Sequence, residues 1–411
     1  MSVSRAYRIV WLLAMPVLCL YTIWRALQDG GWCYFKQRFG LGYPLLERPV
    51  WIHCASVGEV KAALPLLPFI LQHTTCPLLV TTNTPTGKAV LRQYLSARVR
   101  HVYLPLDFVC AVRAFMGRLR PQVGFVMETE LWPHLFQGCY YAGVAVVIVN
   151  GRISQRTLQA QHWLKAAYRF CLQYAFVLAR SEQDQARFFA LGAPAERVRV
   201  VGNIKFAMLN QQADRLEDLL PRRFVLAAST HDDEEYRLAS VWVGLNVQDT
   251  LLVIAPRHPD RTPAILRQLA PLALNIAVRS RGEDVREDTQ VYLADTLGEM
   301  GHFFAHAQWV FMGGSLVARG GQNILEPAYF AKAIVVGPHM ENFADEVQLL
   351  KAHEAIVEVC DDQALSEVFK DFFARPEQLD RLGQNARHLI DTHRDVLQRY
   401  FSALESFLPN G

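Results

Sequence analysis

The stretch WIHCASVGE, residues 51–59, decides how the fold of this chain is interpreted. Its apolar start, residues 51–55, predicts a buried strand, and Ser56 and Gly58 fall in the turn that leads to Glu59 at the head of a helix. In an open α/β sheet, ligands bind beyond the carboxyl ends of the strands, where a glycine lets the backbone come close. Glu59 is therefore a candidate general base. The alternative is a first-turn glutamate that only complements the helix dipole.

Strand-like and helix-like segments alternate along the rest of the chain. In the first half, strands are predicted at residues 49–55, 77–82, 101–104, 123–127, 144–150, 176–179 and 198–201. In the second half, they are predicted at residues 224–228, 251–255, 275–278, 291–294, 309–312, 333–336 and 355–358. Helical segments between them, such as the one predicted over residues 61–72, indicate βαβ units and mainly parallel sheets.

A polar segment containing Pro221 separates the two alternations. Two successive doubly wound, Rossmann-like domains that face a central cleft form the GT-B arrangement, an α/β fold. The predicted parts are an N-terminal membrane-anchor helix (1–30), a first Rossmann-like domain (31–210), a linker (211–222), a second Rossmann-like domain (223–385), and a C-terminal helix that packs back on the first domain (386–411).

The N-terminal segment has the composition of a membrane anchor. Residues 9–24 carry no charge and lie between Arg5 and Arg8 on one side and Arg25 on the other. As a helix they would span about 24 Å, against ~30 Å for the hydrocarbon core of a bilayer. A basic and aromatic patch follows where a signal peptide would have its cleavage site. The sequence predicts an uncleaved anchor with the body on the cytoplasmic side, either spanning the membrane or lying in its interface.

Charge is distributed unevenly along the 411 residues. Residues 1–120 hold 14 Lys and Arg against 4 Asp and Glu, a net charge of +10, whereas the remaining residues hold 28 against 35, a net charge of −7. The basic first third favours an anionic surface or substrate, although a solvated basic face has the same composition. The eight cysteines include no CxxC pair, so reduced thiols are expected and neither a disulfide framework nor a zinc site is indicated.

The motif METELWP, residues 127–133, places Glu128 and Glu130 directly after a predicted strand. An E-x-E pair can bind a hard cation, but no further carboxylate stands beside it. Substrate positioning, a hydrogen bond to Glu59 or a helix cap are the favoured roles. The acidic run at residues 232–235 is interpreted as helix-cap and dipole partners. We therefore expect no metal and no cofactor.

The second half contains a candidate anion site at two strand ends. Arg257 and His258 lie in a proline-bounded turn, and arginine offers a planar fork of donors to a phosphate or carboxylate. The motif GGSLVARGGQNILEP, residues 313–327, offers glycine-rich amides and the start of a helix near residue 324. The candidate ligand-binding residues are Arg257, His258, Gly313, Gly314, Ser315, Arg319, Asn323 and Glu326, the last as an acceptor for sugar hydroxyls.

Nine motifs occur in the order seen in 3-deoxy-D-manno-octulosonic acid (Kdo) transferases, and the chain resembles that family over roughly residues 38–343. They are WIHCASVGEV (51–60), TPTG (84–87), LPLD (104–107), METELWP (127–133), GNIKF (202–206), AASTH (227–231), PRHP (256–259), GGSLVARGGQNILEPA (313–328) and GPHMENF (337–343). Gln322 and Ile324 stand where family members often carry His and Pro, and Gly151 where Ala is usual, so residue 322 is assigned no role.

The resemblance implies an inverting, metal-independent GT-B glycosyltransferase on the cytoplasmic face of the bacterial inner membrane. It would transfer Kdo from CMP-Kdo to a lipid A precursor (lipid IVA) during lipopolysaccharide biosynthesis. Glu59 would be the general base, with Ser56 and Gly58 in the acceptor-side loop, and either Glu128 or Glu130 would be a second functional carboxylate. The expected partners are CMP-Kdo, the lipid acceptor and the anionic membrane surface, and no nucleic acid is expected.

Two other functions remain open at this stage. Because a fold does not fix its donor, a GT-B transferase that uses a UDP-hexose is one alternative. A membrane-bound nucleotide-binding module without turnover is the other, and a glutamate on the rim of the ligand site argues against it.

Overall fold

The strand at the start of WIHCASVGE lies in the middle of a seven-stranded parallel sheet in the computed structural model, which describes residues 3–211 and 216–409. The chain forms two units: unit 1 comprises residues 1–208 and 395–411, and unit 2 comprises residues 209–394. Each unit has one seven-stranded sheet in which every neighbouring pair of strands is parallel. The predicted linker, residues 211–222, includes residues 212–215, which lie outside the described residues.

The first part of the chain builds the sheet of unit 1. Its elements are α1 Arg5–Arg25, a π-helical turn Ala26–Gly30, α2 Gly31–Arg38, β1 Val50–Cys54, α3 Val57–Ala63, α4 Leu66–His73, β2 Leu78–Thr82, α5 Pro85–Leu91, β3 Val99–Tyr103, α6 Val109–Leu119, β4 Val123–Met127, α7 Pro133–Tyr141, β5 Ala145–Gly151, α8 Gln155–Leu158, α9 His162–Leu172, β6 Ala175–Ala179, α10 Glu182–Ala190 and β7 Val198–Val200. A 3₁₀ segment, Ile204–Gln211, follows.

The second part builds the sheet of unit 2 and then returns to unit 1. Its elements are β8 Phe224–Thr230, α11 Glu234–Leu245, β9 Leu251–Pro256, α12 Thr262–Leu269, β10 Ile276–Val278, β11 Val291–Leu293, α13 Met300–His306, β12 Trp309–Met312, α14 Leu325–Tyr329, β13 Ala333–Val336, α15 Ala344–Ala352, β14 Val357–Glu358, α16 Asp362–Ala374, α17 Pro376–Thr392 and α18 Val396–Glu405. Only α18 belongs to unit 1.

The strand order of each sheet reverses at its first strand. In unit 1 the order is β3-β2-β1-β4-β5-β6-β7, and in unit 2 it is β10-β11-β9-β8-β12-β13-β14. Ligands of doubly wound proteins bind beyond the carboxyl ends of the strands at such a reversal. In unit 1 this point lies between β1 and β4, and in unit 2 it lies between β8 and β12, so the α/β doubly wound fold class is confirmed.

Buried apolar side chains fix β1 in the sheet. All five residues of β1 are buried, and the indole of Trp51 lies over β4. A Cβ atom added at Gly124 would lie 2.6 Å from the Trp51 ring, so only glycine leaves room for the indole. The same ring packs edge-on against Phe115 at 5.4 Å between centroids.

Helix α1 lies along unit 1 with one narrow face inward. Buried or half-buried positions recur at helical spacing, at Tyr7, Trp11, Ala14, Leu18 and Thr22. The Tyr7 hydroxyl donates to Asp107 at 2.8 Å, and Trp11 packs against Phe108 and Trp132. The remaining faces expose a large apolar surface that includes Ile9, Val10, Leu12, Leu13, Val17, Leu20, Ile23 and Trp24. By length and composition, the helical segment Arg5–Arg38 is able to cross a membrane.

Local breaks shift several predicted bounds. The helix expected over residues 61–72 is divided into α3 and α4 next to Pro65, which has no amide hydrogen for a continuous helix. Strand β8 continues to Thr230 because Ser229, at φ 54°, forms an irregularity in the pairing with β9. The final helical region also divides differently from residues 386–411: α17 runs unbroken to Thr392 within unit 2, and the return to unit 1 begins at Asp395.

Candidate active site

The loop after β1 folds the Glu59 side chain back on its own turn. Ser56 caps α3 by accepting the Glu59 amide at 3.3 Å, and its hydroxyl donates to the Glu59 carboxylate at 3.0 Å. The Ala55 amide donates to the other carboxylate oxygen at 2.8 Å. The Glu59 side chain therefore takes part in the cap of α3. Gly58 has ordinary space around it, since an added Cβ would lie 3.8 Å from the Ser56 hydroxyl, so the fold itself does not require glycine there.

Glu59 is nevertheless unlike a solvent-exposed capping residue. The residue is only 8% exposed. Burial, followed by the charges of Glu130 and Glu128, raises its pKa to about 8, although the hydrogen bonds from Ala55 and Ser56 act in the opposite direction. A carboxyl group with this pKa exchanges protons near neutral pH, which is the property that a general base needs. Capping and proton transfer are thus compatible roles for one side chain.

Glu130 is held as a carboxylate by three neighbouring groups. The Trp132 indole donates to its Oε2 at 2.8 Å and the Asn83 amide at 3.3 Å, and His53 Nε2 lies 3.7 Å from the same oxygen. Burial raises the pKa of Glu130, but the neighbouring His53 and the hydrogen bonds from Trp132 and Asn83 outweigh it, and the pKa is lowered overall. The two glutamates therefore have pKa values displaced in opposite directions.

Glu128 has a different environment. Its backbone is in the left-handed region at φ 55°, where a residue with a side chain is uncommon, and its amide donates to Val149 O at 2.8 Å. The carboxylate lies 3.8 Å from the Arg152 guanidinium. The structure brings Glu59, Glu128 and Glu130 together at the strand-order reversal of unit 1, as the sequence predicted for strand ends.

Three polar residues of this site were not predicted from the sequence. Asn83 donates to Glu130 and accepts from Arg38 Nη1 at 3.0 Å, and Arg38 also donates to Leu104 O at 2.6 Å. His53 lies within the apolar strand β1 and is fully buried. Two of these residues had a sequence signal that could have identified them. His53 is a lone histidine in an apolar strand, and Asn83 lies at the start of the hydroxyl-rich turn after β2.

In unit 2, cationic side chains gather where β8, β9 and β12 end. Arg257, His258 and Arg319 are exposed, and the His231 ring lies 5.9 Å from the His258 ring. Burial, followed by the positive charges of Arg319, His258, Arg261 and Arg257, lowers the pKa of His231. A proton on His231 is thus disfavoured by existing positive charge. An anionic ligand would relieve this repulsion, so the cluster is suited to a phosphate or carboxylate.

The expectation that the amides of Gly313, Gly314 and Ser315 reach a ligand anion is corrected by the structure. The Gly313 amide donates to Ala228 O at 2.8 Å, and the amides of Gly314 and Ser315 donate to the Glu234 carboxylate at 2.6 and 2.9 Å. The sequence alone could not indicate the hydrogen bonds to Glu234, because they join residues about eighty positions apart. These amides already hold an anion of the protein itself.

Glu234 is consequently more than a helix-cap residue. It is fully buried, and its carboxylate also accepts the amides of Leu316 and His231, each at 2.9 Å. Ser315 is buried as well, and its hydroxyl donates to Met312 O and accepts the Gly337 amide. Gly313 is required by packing, since an added Cβ would lie 2.5 Å from Ser229 O. Gly313, Gly314 and Ser315 thus hold the loop after β12 in place through hydrogen bonds within the protein.

Of the remaining predicted residues, Asn323 lies on the loop before α14 and Glu326 lies in the first turn of that helix. The Asn323 amide donates to Glu326 at 2.9 Å, and its carbonyl accepts the Leu325 amide at 3.2 Å. Helix α14 has only five residues, Leu325–Tyr329. Glu326 is exposed, and its contact with a sugar hydroxyl stays a prediction.

Within residues 3–211 and 216–409, no three or more His, Cys, Asp or Glu side chains are arranged to hold a metal ion.

Comparison with known proteins gives a family likeness over both units. Residues 34–208 match the family model described as 3-Deoxy-D-manno-octulosonic-acid transferase (kdotransferase). The chain is 32% identical over 371 residues to the 3-deoxy-D-manno-octulosonic acid transferase of Haemophilus influenzae, covering 87% of each protein. It is 31% identical over 416 residues to the transferase of the same description from Bordetella pertussis, covering 96% of each.

A solved structure shows the same fold at low sequence identity. The glycosyltransferase from Rickettsia africae superposes with a TM-score of 0.59 at 12% identity, covering 89% of this chain and 100% of that chain. At this level of identity the likeness concerns the fold alone, which is of the GT-B type.

Proposed function

Because the chain belongs to the 3-deoxy-D-manno-octulosonic acid (Kdo) transferase family, we propose that it transfers Kdo from CMP-Kdo to a lipid A precursor, lipid IVA, with inversion at the sugar. Membership of the family makes it a glycosyltransferase of lipopolysaccharide biosynthesis. The observation that carries the finer proposal is the buried Glu59, with a pKa of about 8, at the strand-order reversal of unit 1.

In the proposed reaction, an acceptor hydroxyl of the lipid attacks the anomeric carbon of Kdo. The bond from that carbon to the phosphate oxygen breaks, CMP leaves with the bonding electron pair, and Glu59 takes the hydroxyl proton. About a tenth of Glu59 is ionised at pH 7 if its pKa is about 8. The amide of Ala55 and the hydroxyl of Ser56 then hold the ionised carboxylate in a fixed orientation.

The cationic cluster of unit 2 supports an anionic donor. CMP-Kdo carries a phosphate and a carboxylate, and Arg257, His258 and Arg319 present exposed cationic or donor groups beside His231. Arginine binds both kinds of anion with two parallel hydrogen bonds. Positive charge also stabilises the negative charge that develops on departing CMP. We assign the donor to this cluster, with Gly314 and Ser315 supporting it through Glu234.

We further propose that α1 attaches the protein to the cytoplasmic face of the inner membrane while lying in the plane of the interface. One face of α1 is occupied by unit 1 at Tyr7, Trp11 and Thr22, whereas Leu13 and Leu20 are 73% and 68% exposed. A helix held against the protein in this way offers its apolar faces sideways to lipid. Its flanking arginines suit anionic headgroups.

Incubation of the purified full-length protein with CMP-Kdo and tetraacyl lipid IVA tests the proposal. Mass spectrometry should detect a Kdo-bearing lipid, and E59Q should lower turnover by about a hundredfold or more, the scale of general-base catalysis. The matched control is E47Q, which alters an exposed glutamate of unit 1 and should keep wild-type turnover.

Each other outcome has a definite meaning. Transfer only from a UDP-hexose would favour the other donor class, and CMP binding without transfer to any acceptor would favour a binding module. The reaction is also proposed to need no metal, and activity that is lost with a chelator and restored by magnesium would refute this.

A further inference from the structure

His53 is a buried polar residue for which the proposed reaction has no use. It lies in β1, one residue before the end of the strand, with no exposed surface, and it is paired with Thr81 of β2 on one side and Val126 of β4 on the other. Its Nε2 has no hydrogen-bond partner at normal distance and lies 3.7 Å from Oε2 of Glu130. A buried ring nitrogen without a partner costs stability, so a role for it is expected.

The other ring nitrogen belongs to a chain of hydrogen bonds. The indole N–H of Trp51 can only donate, and it donates to Thr81 Oγ1 at 2.8 Å. The single hydroxyl proton of Thr81 has two possible acceptors, His53 Nδ1 at 2.9 Å and Ile52 O at 3.4 Å. The shorter distance favours His53 as the acceptor. A neutral His53 ring must then carry its proton on Nε2, which faces Glu130.

The opposite assignment is less favourable. If Thr81 donated to Ile52 O, the Nδ1 of His53 would carry the proton. A neutral ring would then direct the lone pair of Nε2 at the Glu130 carboxylate, placing two electron-rich atoms 3.7 Å apart. Both distances and charges therefore orient the N–H of Nε2 toward Glu130.

The orientation of the His53 Nε2–H affects only one of the two oxygens of the Glu130 carboxylate. Trp132, Asn83 and His53 all approach Oε2. In the described part of the chain, no group donates to Oε1. One oxygen is thus fixed by the protein, and the other is left for a ligand.

We propose that Trp51, Thr81 and His53 form a positioning relay that directs the Nε2–H of His53 onto Oε2 of Glu130 and leaves Oε1 to accept a hydrogen bond from a sugar hydroxyl of the substrate. This proposal rests on the proposed function. It selects Glu130 over Glu128 as the second functional carboxylate and makes His53 a positioning residue. Hydrogen bonds in empty sites are often long and shorten in the substrate complex, so the 3.7 Å separation is expected to close on binding.

Two substitutions of His53 test the direction of the relay. The side-chain nitrogen of glutamine reaches the place of Nε2, whereas that of asparagine reaches the place of Nδ1. H53Q keeps an N–H donor near Glu130, and H53N does not. We expect H53N to lower kcat by about 10- to 100-fold, the scale of one lost hydrogen bond to a charged group, and H53Q to recover most of that loss. Equal losses in both variants, with wild-type Tm values, would overturn the relay.

Substitution of Thr81 tests the first half of the chain. T81V removes the hydroxyl and T81S keeps it, so T81V should lower kcat and T81S should restore it. The matched control is T82V, which removes the neighbouring buried hydroxyl of the same strand, where it contacts His101 at 2.9 Å. T82V should lower Tm to a similar extent while leaving kcat within twofold of wild type. A loss of kcat in T82V as large as that in T81V would reject the proposal.

A spectroscopic readout separates the relay from the proposed function. Long-range ¹H–¹⁵N correlation spectra of ¹⁵N-histidine-labelled full-length protein report which nitrogen of His53 carries the proton. The expected form is protonated at Nε2 in wild type and altered in T81V. Protonation at Nδ1 alone would overturn the relay even if Kdo transfer is observed, whereas absence of Kdo transfer with the expected spectrum would refute only the proposed function.

Discussion

The carboxylate of Glu234 lies 2.6 Å from the amide nitrogen of Gly314, although eighty residues separate the two in sequence. With the amides of Ser315, Leu316 and His231, four backbone donors converge on this one buried side chain. The loop after β12 is thereby fastened to the start of α11. The glycines of this loop suggested a site for an external anion, but the anion that its amides bind is the Glu234 carboxylate of the protein itself.

Removal of the Glu234 charge should loosen this loop. E234Q places an amide N–H₂ against backbone N–H groups, so at least one pair of donors loses its acceptor. We expect a loss of about 3 kcal/mol or more in the free energy of unfolding, given the cost of buried hydrogen bonds to a charged group. CMP should also bind more weakly, because His231 is displaced. Thermal unfolding and CMP titration of the full chain measure both effects. The exposed-residue control E287Q should change neither quantity.

Glu59 should make the stability of the protein depend on pH. Its pKa is raised from 4.5 to about 8, so between these values the folded protein binds a proton that the unfolded chain does not. The free energy of unfolding therefore falls as pH rises through this window. E59Q does not lose stability in this way, so the Tm of E59Q minus the Tm of wild type should increase from pH 5 to pH 9. Denaturation at several pH values measures the difference, and parallel curves for the two proteins would contradict it.

The charge of Glu130 should appear in the pH dependence of transfer. After burial, Glu130 is the largest cause of the raised pKa of Glu59. E130Q removes that charge, so the rising limb of the pH–rate profile should move to lower pH while the maximal rate falls. The charged and titratable groups that interact with Glu130 are His53 on β1, Glu59 on α3, Arg38 on α2 and Tyr168 on α9. A rising limb that stays at the wild-type pH would argue against this coupling.

Arg257 should report on the donor alone. It is exposed at the end of β9, so R257A removes a cation with little effect on packing. Loss of a charged hydrogen bond predicts about 10- to 100-fold weaker binding of CMP, with an unchanged Tm. R267A, on the exposed part of α12, is the control. Equal CMP affinities of wild type and R257A in calorimetry would remove Arg257 from the donor site.

The exposed faces of α1 should determine membrane binding. L13E and L20E each place a charge on the lipid-facing surface, and we expect about tenfold or greater loss of binding to vesicles of phosphatidylethanolamine and phosphatidylglycerol, from the apolar area removed. L297E changes a leucine of unit 2 that is 83% exposed and should leave binding unchanged. Equal co-sedimentation of L13E and wild type would show that α1 does not contact lipid.

Much of the fold could be predicted because its signals are local. The strands Trp309–Met312 and Ala333–Val336 have the predicted bounds, since each is an apolar run between turn residues. The division of residues 61–72 at Pro65 was missed, although proline is itself a local signal. The length of the strand Val357–Glu358 was overestimated, since it was predicted over residues 355–358. Its pairing, rather than its composition, limits its length.

The candidate site was predicted where it depends on strand ends and missed where it depends on partners. Glu128 follows β4 directly, and Glu59 and Glu130 lie within five residues of a strand end, so spacing was sufficient to place them there. The bonds of Glu234 to the loop after β12, and the alignment of His53 with Thr81, arise from sheet order, which brings together residues that are distant in sequence. No local pattern in a single sequence encodes these partners.

The return of α18 to unit 1 affects how the protein is made. Phe401 of α18 stacks on Phe69 of α4 at 4.1 Å, and the Tyr400 hydroxyl donates to Gly202 O at 2.8 Å. A ribosome delivers these residues only after it has synthesised all of unit 2. The unit that contains Glu59 is therefore completed last during translation, although most of it emerges first. A nonsense mutation that removes only α18 would leave the earliest-translated unit, rather than the latest, without its final packing layer.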